Sequence, residues 1–352
     1  MRPELFRENR VWRAYQGGGG ISLLKKQQPE METHFPEDWI ASCVEACNDQ
    51  YRKAGHGLST LSDGTLFPEY LARDPEKTLG EKHVGYFGIQ PGFLMKILDS
   101  AERLPIQVHP TVADAKKYYH SEKGKTECWI VLATREINGQ EPYLLLGFNE
   151  TADWDIFLDD AAKGDFSRSE KMLHKWEVKA GDVFTVPGGV PHAIGPGVTV
   201  IEVMEPSDWV VQPEHFCGAQ PLTEADRFGP LDMETALKIF HFDAVSREAA
   251  QKSFCPFPVL LDRTDGFILS AIVPQKDIKL FEVQALTGQG QYTLVNRESC
   301  CRAGVVTEGE FQISTASGSI KASVGESFFL PACINAAGIG GKGKIIFALP
   351  LH

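Results

Sequence analysis

Short apolar runs broken by turn residues set the rhythm of the chain. Residues 93–98, 127–132, 143–146 and 182–186 are rich in β-branched, aromatic and aliphatic side chains and are separated by Gly, Pro and Asn, the pattern of strands joined by tight turns. Between 150 and 176 the period changes. Trp154, Phe157, Leu158, Ala161 and Ala162, then Met172 and Leu173, fall at helical spacing in a charged background, which predicts a helical insertion between strands. A second helix is expected to start after Asp232, a suitable N-cap, with Met233, Ala236, Leu237 and Phe240 at i, i+3, i+4 and i+7. Beyond residue 254 the strand pattern returns at 267–273, 304–307, 311–315 and 326–330, with glycines gathered in the turns. The expectation is a mainly β protein of two units: 1–215 with a helical insert at about 150–176, and 216–352 with a linking helix and a second β unit.

Composition narrows the classes. With 352 residues, 43% hydrophobic and 23% charged, the chain has the balance of a folded globular protein. The formal net charge is -12 and no Lys/Arg-rich block occurs, which argues against a nucleic-acid footprint and means that an anionic substrate must meet locally placed basic side chains. No apolar run reaches the roughly 18 residues of a membrane span, and residues 1–10 lack the apolar core of a signal peptide. A cytoplasmic protein with no membrane partner is expected. Eight cysteines, among them the adjacent Cys300 and Cys301, read as reduced thiols rather than a disulfide framework. Cys43 and Cys47 have a spacing that could serve a metal on a helix, but no second Cys/His pair at finger-like spacing accompanies them. The glycine run at 17–20 has no Gly-Lys-Ser/Thr ending and reads as a flexible loop rather than a phosphate cradle.

An internal repeat supports the two-unit division. Gly-Asp-Val-Phe-Thr-Val-Pro-Gly-Gly-Val-Pro-His at 181–192 has a partner in Gly-Glu-Ser-Phe-Phe-Leu-Pro-Ala-Cys-Ile-Asn-Ala at 325–336. Both copies show a glycine, an acid, an apolar strand and a proline at matching offsets. The first ends in His192 and the second in Ala336, so only the first half is expected to hold a metal.

Candidate ligands surround that histidine. Gln107 and His109 flank Val108, and residues two apart on a strand face the same side. Glu127 opens the strand that follows, and His192 lies beyond the helical insertion. Two imidazoles and a carboxylate hold a divalent ion firmly, and a neutral amide oxygen completes the protein set while leaving positions open for water or substrate.

The 181–192 segment resembles the second motif of the cupin barrels: Gly, five residues, Pro-x-Gly, two residues, His. Gln-Val-His-Pro at 107–110, Gly-Lys-Thr-Glu at 124–127 and Pro-His-Ala-Ile-Gly at 191–195 resemble, in order, the ligand-bearing segments of type I mannose-6-phosphate isomerases. Weaker likeness covers Glu37-Asp38-Trp39 with Ser42, the run 93–99, and Ser207-Asp208. The resemblance implies two cupin-like, jelly-roll β-barrels with a helical insertion and a linking helix. It implies one Zn2+ per chain on Gln107, His109, Glu127 and His192, with no metal in the second barrel. The implied reaction interconverts mannose 6-phosphate and fructose 6-phosphate, or acts on a closely related anionic sugar, through an enediol. Lys125 and Glu202 match positions that the family places in its site, Lys96 is a candidate for orienting substrate, and Trp12, Tyr15 and Trp39 are candidates for the pocket wall. At the catalytic position where the family has an arginine after the Ser-Asp segment, this chain has Gln212, a neutral side chain that gives no charged clamp; Arg168 and Arg227 are the candidate replacements for that charge.

Two other functions fit parts of the pattern. A non-catalytic, metal-binding sugar sensor is compatible with Gln212, and His109, Glu127 and His192 alone form the two-His-one-carboxylate set of a non-haem iron oxygenase. Gln107 as a fourth protein ligand argues against the oxygenase. A monomer and a homodimer are both left open.

Overall fold

A computed structural model describes residues 1–28 and 31–351, and in it the strand pattern resolves into antiparallel sheets. β1 (Glu4–Leu5) precedes β2 (Arg10–Val11), β3 (Glu37–Ile40), β4 (Leu94–Ser100), β5 (Glu127–Thr134), β6 (Tyr143–Phe148), β7 (Leu173–Glu177), β8 (Val183–Val186), β9 (His192–Ile194) and β10 (Val198–Met204). A short hairpin, β11 (Phe216–Cys217) and β12 (Gln220–Pro221), follows. The second half contains β13 (Val259–Arg263), β14 (Phe267–Val273), β15 (Phe281–Val295), β16 (Arg302–Thr315), β17 (Gly318–Ser323), β18 (Ser327–Leu330) and β19 (Ala336–Pro350).

The first unit packs a sheet in the order β2-β3-β4-β10-β5-β8 against a smaller sheet, β7-β6-β9. Leu98, Trp129, Val131, Val198 and Val200 from the larger sheet meet Leu144, Leu146, Trp176 and Ile194 from the smaller in one apolar core. In the second unit the sheet runs β1-β18-β16-β19-β15-β14-β13, with β17 on β16, and encloses its own core, including Phe267, Leu286, Phe311, Phe328, Ile339 and Phe347. A third cluster joins the units: Met95, Ile97, Ile130, Ile201 and Val203 pack with Val283, Ala303, Val305, Phe329 and Ile346. Strands β4, β5 and β10 are thus buried on both faces, which explains their nearly continuous apolar sequences.

Period-2 alternation then exposes an anomaly. On β4, β5 and β10 the odd row of one strand and the even rows of the others line the first barrel's interior, and that inward row reads Lys96 and Leu98; Glu127, Trp129 and Val131; Val198, Val200 and Glu202. Three charges occupy interior positions at one end of an otherwise apolar row. They are buried, and buried charge is retained where it is paired or used.

The helical insertion forms at Trp154–Lys163, capped by Asp153, whose side chain accepts the Ile156 N–H, and closed by Gly164. Residue 173, expected to be helical, instead opens β7. A separate 3-10 turn at Ser169–Met172 leads into that strand, and Leu173 and Trp176 are buried on pairing with β6. Asp232 caps a helix as expected, accepting the Thr235 N–H, but the helix spans only Met233–Leu237. Ile239 and Phe240 continue the buried face in tighter i→i−3 turns, donating to the Ala236 and Leu237 carbonyls at 3.1 and 3.2 Å.

The glycine run differs more. Residues 17–20 are buried, and the N–H groups of Gly18 and Gly20 donate to Asp99 Oδ2 at 2.8 and 2.9 Å. Asp99 is also bound by Thr199 Oγ1 and Arg135. A Cβ on Gly20 would fall 2.2 Å from Asp99 Oδ1. The loop is a cradle for an internal carboxylate, fixed rather than flexible. Cys43 and Cys47 lie on an irregular segment rather than a helix. Among the described residues no helix is long and apolar enough to cross a membrane.

Candidate metal centre and its cavity

The ligand geometry starts in the backbone. Gln107 and His192 exchange both N–H···O hydrogen bonds, at 2.9 Å each, as a directly opposed antiparallel pair. Their side chains therefore share a face, and His109, two residues on, shares it too. Val108 is bridged to Val211 in the same way, which pins the segment from both sides. Glu127 enters from the inward row of β5. The ligating atoms of His109, Glu127 and His192 all lie within 4.8 Å of one another, and all three residues are buried.

Both imidazoles are held by their far nitrogens. His109 Nδ1 is 2.8 Å from the Trp209 carbonyl oxygen and His192 Nδ1 is 2.9 Å from that of Val190. A carbonyl only accepts, so each Nδ1 carries the proton and each Nε2 presents its lone pair to the centre. His192 Nε2 is buried with no hydrogen-bond partner, an arrangement that costs about 1–3 kcal/mol unless something binds there. Burial pushes the His109 pKa down, with Lys125 adding to the effect, and burial together with His109 takes that of His192 down to about 3. Burial works against the Glu127 carboxylate, but Lys125 and His109 outweigh it and hold its pKa well below the usual value. At neutral pH the set is two neutral imidazoles and one carboxylate, the form that a divalent cation requires. The residues present fit such an ion. Gln107 stands half-buried on the adjoining wall, in register with His192.

A cavity of about 610 Å³ opens beside this set, and Gln107, Glu127, Lys125, Lys96 and Glu202 line it. Lys125 Nζ lies 3.0 Å from His109 Nε2 and 3.1 Å from Glu127 Oε1. Lys96 Nζ lies 2.9 Å from Glu202 Oε1 and 3.5 Å from Glu37 Oε2. Burial and the nearby Glu127 raise the Glu202 pKa despite Lys96 and Lys125. Trp12 and Tyr15 line the cavity. Trp39 is fully buried behind it, with Lys96 Nζ 4.8 Å and the Arg13 guanidinium 5.0 Å from its ring centroid, so it supports those cations from behind.

Gln212 reaches the cavity wall, but its Nε2 donates to the Asp226 carbonyl at 2.9 Å. Neither candidate replacement for the absent arginine lines the cavity. Arg168 is bound to Asp159 and Asp160 on the insert, and Arg227 donates from Nε and Nη2 to the Pro213 carbonyl. Two guanidiniums do line the cavity, Arg52 at the rim and the largely buried Arg13, which sequence reasoning missed. It grips Asp208 through Nη1 and Nη2, at 3.1 and 2.9 Å, and lies 3.1 Å from Glu37 through Nε. Burial opposes ionisation of Glu37, yet Arg13 and Lys96 hold its pKa near 2. The available signal was indirect: Glu37 and Asp208 fall in motif segments and, once buried, require a cation. At the rim, Arg52 pairs with Asp49, whereas the exposed Lys53 is the one cavity-lining cation among the described residues whose ammonium has no partner.

No family model matches the chain. Among curated relatives, mannose-6-phosphate isomerase of Streptococcus mutans is 41% identical over 115 residues, 33% of this chain and 34% of that protein. ManA of Bacillus subtilis, also a mannose-6-phosphate isomerase, is 34% identical over 134 residues, 37% of this chain and 40% of that one. The matched segment thus spans less than half of each relative. The fold match covers far more. A mannose 6-phosphate isomerase from Bacillus subtilis aligns over 99% of both chains with a TM-score of 0.75 at 21% identity. A phosphomannose isomerase from Salmonella typhimurium aligns over 99% of this chain and 100% of its own, with a TM-score of 0.72 at 14% identity. This chain has the fold of those enzymes.

Proposed function

We propose that this chain is a zinc-dependent aldose–ketose isomerase that interconverts mannose 6-phosphate and fructose 6-phosphate. The observation that carries the reading is the buried His109–Glu127–His192 set, with an unpartnered Nε2, beside a cavity that also presents the Lys96–Glu202 ion pair. The naming of the partial relatives as mannose-6-phosphate isomerases supports it. A divalent cation on His109, Glu127, His192 and Gln107 would supply Lewis-acid stabilisation of negative charge on the C1 and C2 oxygens as the enediol forms.

The chain's own residues supply the rest. Glu202, its pKa raised by burial and its position fixed by Lys96, carries the proton between C1 and C2. Lys125, between His109 and Glu127, donates hydrogen bonds to the reacting oxygens. Lys96, supported by Trp39 and Glu37, orients the carboxylate. Trp12 and Tyr15 shield the site from bulk water. The phosphate is directed to the rim, where Lys53 is the unpaired cation.

The test is proton NMR of the zinc-loaded protein in heavy water with mannose 6-phosphate and fructose 6-phosphate. Interconversion with deuterium entering at C1 and C2 is expected. Silence from fully metallated, folded protein would overturn the isomerase, and saturable sugar-phosphate binding without turnover would favour the sensor.

A further inference from the structure

Outside the charged groups already described, two polar atoms of cavity-lining residues are buried with no hydrogen-bond partner: Tyr119 Oη and Asn48 Nδ2. They come from unrelated parts of the chain. Tyr119 ends a π-helical turn, Ala115–Tyr119, and is 9% exposed; Asn48 sits on the irregular segment that follows β3. Isolated π turns gather at functional sites, and a buried hydroxyl or amide left unpaired destabilises the fold unless a ligand completes it.

Each group is held in position by the site. Asn48 Oδ1 accepts from Arg13 Nη1 at 3.2 Å, which fixes the amide and turns Nδ2 away from the guanidinium. The Tyr119 ring packs on Trp209, with centroids 4.6 Å apart, and the Trp209 carbonyl is the acceptor that fixes His109. One residue therefore sets both the phenol and a metal ligand.

We propose that Tyr119 and Asn48 read the sugar: the phenol and the amide each hydrogen-bond a hydroxyl of the open-chain phosphosugar that takes no part in the proton transfer. The assignment rests on the isomerase reading and makes both residues determinants of which sugar is accepted. A site built to bond a hydroxyl discriminates strongly against a partner that lacks it.

The test compares wild type with Y119F, which removes only the hydroxyl, on mannose 6-phosphate and its 3-, 4- and 5-deoxy analogues. For Y119F, kcat/KM is expected to fall about tenfold or more, with zinc content unchanged and the Tm of the sugar-free protein equal to wild type or higher. The wild-type penalty for one of the three missing hydroxyls should disappear in Y119F. A kcat/KM within twofold of wild type, penalties unchanged at all three positions, or a loss accompanied by lower zinc or Tm would each overturn the role of Tyr119. Absence of wild-type turnover would instead overturn the isomerase reading, and this assignment with it.

Discussion

The two barrels carry the same turn and opposite chemistry. Gly181 and Gly325 both adopt left-handed φ, 96° and 82°, a conformation that other residues enter only with strain. Gly181 N–H donates to Val131 O and Gly325 N–H to Val306 O, both at 2.8 Å. Val131 and Val306 in turn donate to the acids that follow, Asp182 and Glu326. Register extends the correspondence. Glu127 pairs with Val186 where Arg302 pairs with Leu330, and Glu202 and Lys96 stand where Phe347 and Gln284 stand. His192 opens β9 where Ala336 opens β19. Where the first barrel has the candidate ligand Glu127, the second thus has a guanidinium, held by Gln284 Oε1 at 2.7 Å and by Glu298. A built-in cation occupies the place where the first barrel is arranged to receive one. The barrel positions side chains; the ion-binding property belongs to the residues at a few inward positions.

That comparison can be broken most directly with His192→Ala, which gives the first barrel the residue of the second. Zinc, expected at about one per chain in wild type, should fall below about a tenth, and isomerisation should drop about a thousandfold or more, since the candidate set loses one of its two imidazoles. Metal analysis and the NMR assay read both effects; two ions bound per wild-type chain would show that the second barrel is not closed to metal.

The next effect is on pH dependence, which only the first barrel should show. With His109 and His192 depressed below the usual 6.5 and Glu127 below 4.5, the unfolded chain binds more protons than the folded one. Their stabilising contribution is fully present above those usual values and is lost progressively as pH falls from them toward the lower folded values, about 3 for His192. Metal-free protein should lose up to about 1.4 kcal/mol per pH unit for each histidine below pH 6.5, and His192→Ala should flatten the slope; a pH-independent urea midpoint between pH 7 and 5 would contradict it.

The smallest effect is expected for Arg302→Leu. Losing the guanidinium strands the buried Gln284 carbonyl and should cost about 1–3 kcal/mol in urea unfolding, with zinc content and turnover within twofold of wild type. A loss of zinc would mean that the second barrel contributes to the site.

Legibility in the sequence followed the range of the interactions. The strands at 93–98, 127–132, 267–273 and 326–330 were readable because each is a short run of β-branched, aromatic and aliphatic side chains bounded by turn residues, a signal contained within the strand itself. Asp232 was readable as a cap because capping acts within one turn. The end of the insert was not, since Leu173 and Trp176 follow a helical spacing until β6 offers a partner. Nor was the glycine cradle: the carboxylate it holds belongs to Asp99, on β4. Of the candidate site, Gln107 and His109 were paired by their offset of two on a strand, which keeps side chains on one face, whereas Lys125, Glu127, His192 and Glu202 were named from the resemblance to a known family. Arg13, Asn48 and Tyr119 were missed, because their places are set by segments far apart in sequence that converge only on folding.

By itself, then, the amino-acid order determined the mainly β character, the internal repeat, the candidate ligand motifs, and the alanine at position 336 where the first copy has His192, each of which is contained in a short window of sequence. Tertiary structure decided which charges neutralise one another, that Arg13 rather than Arg168 or Arg227 lines the cavity, that Gln212 is tied to Asp226, and that Tyr119 and Asn48 are left unsatisfied on the cavity wall. Pairing and burial are properties of three-dimensional proximity, and a single chain reveals them only once distant strands have closed around the same space.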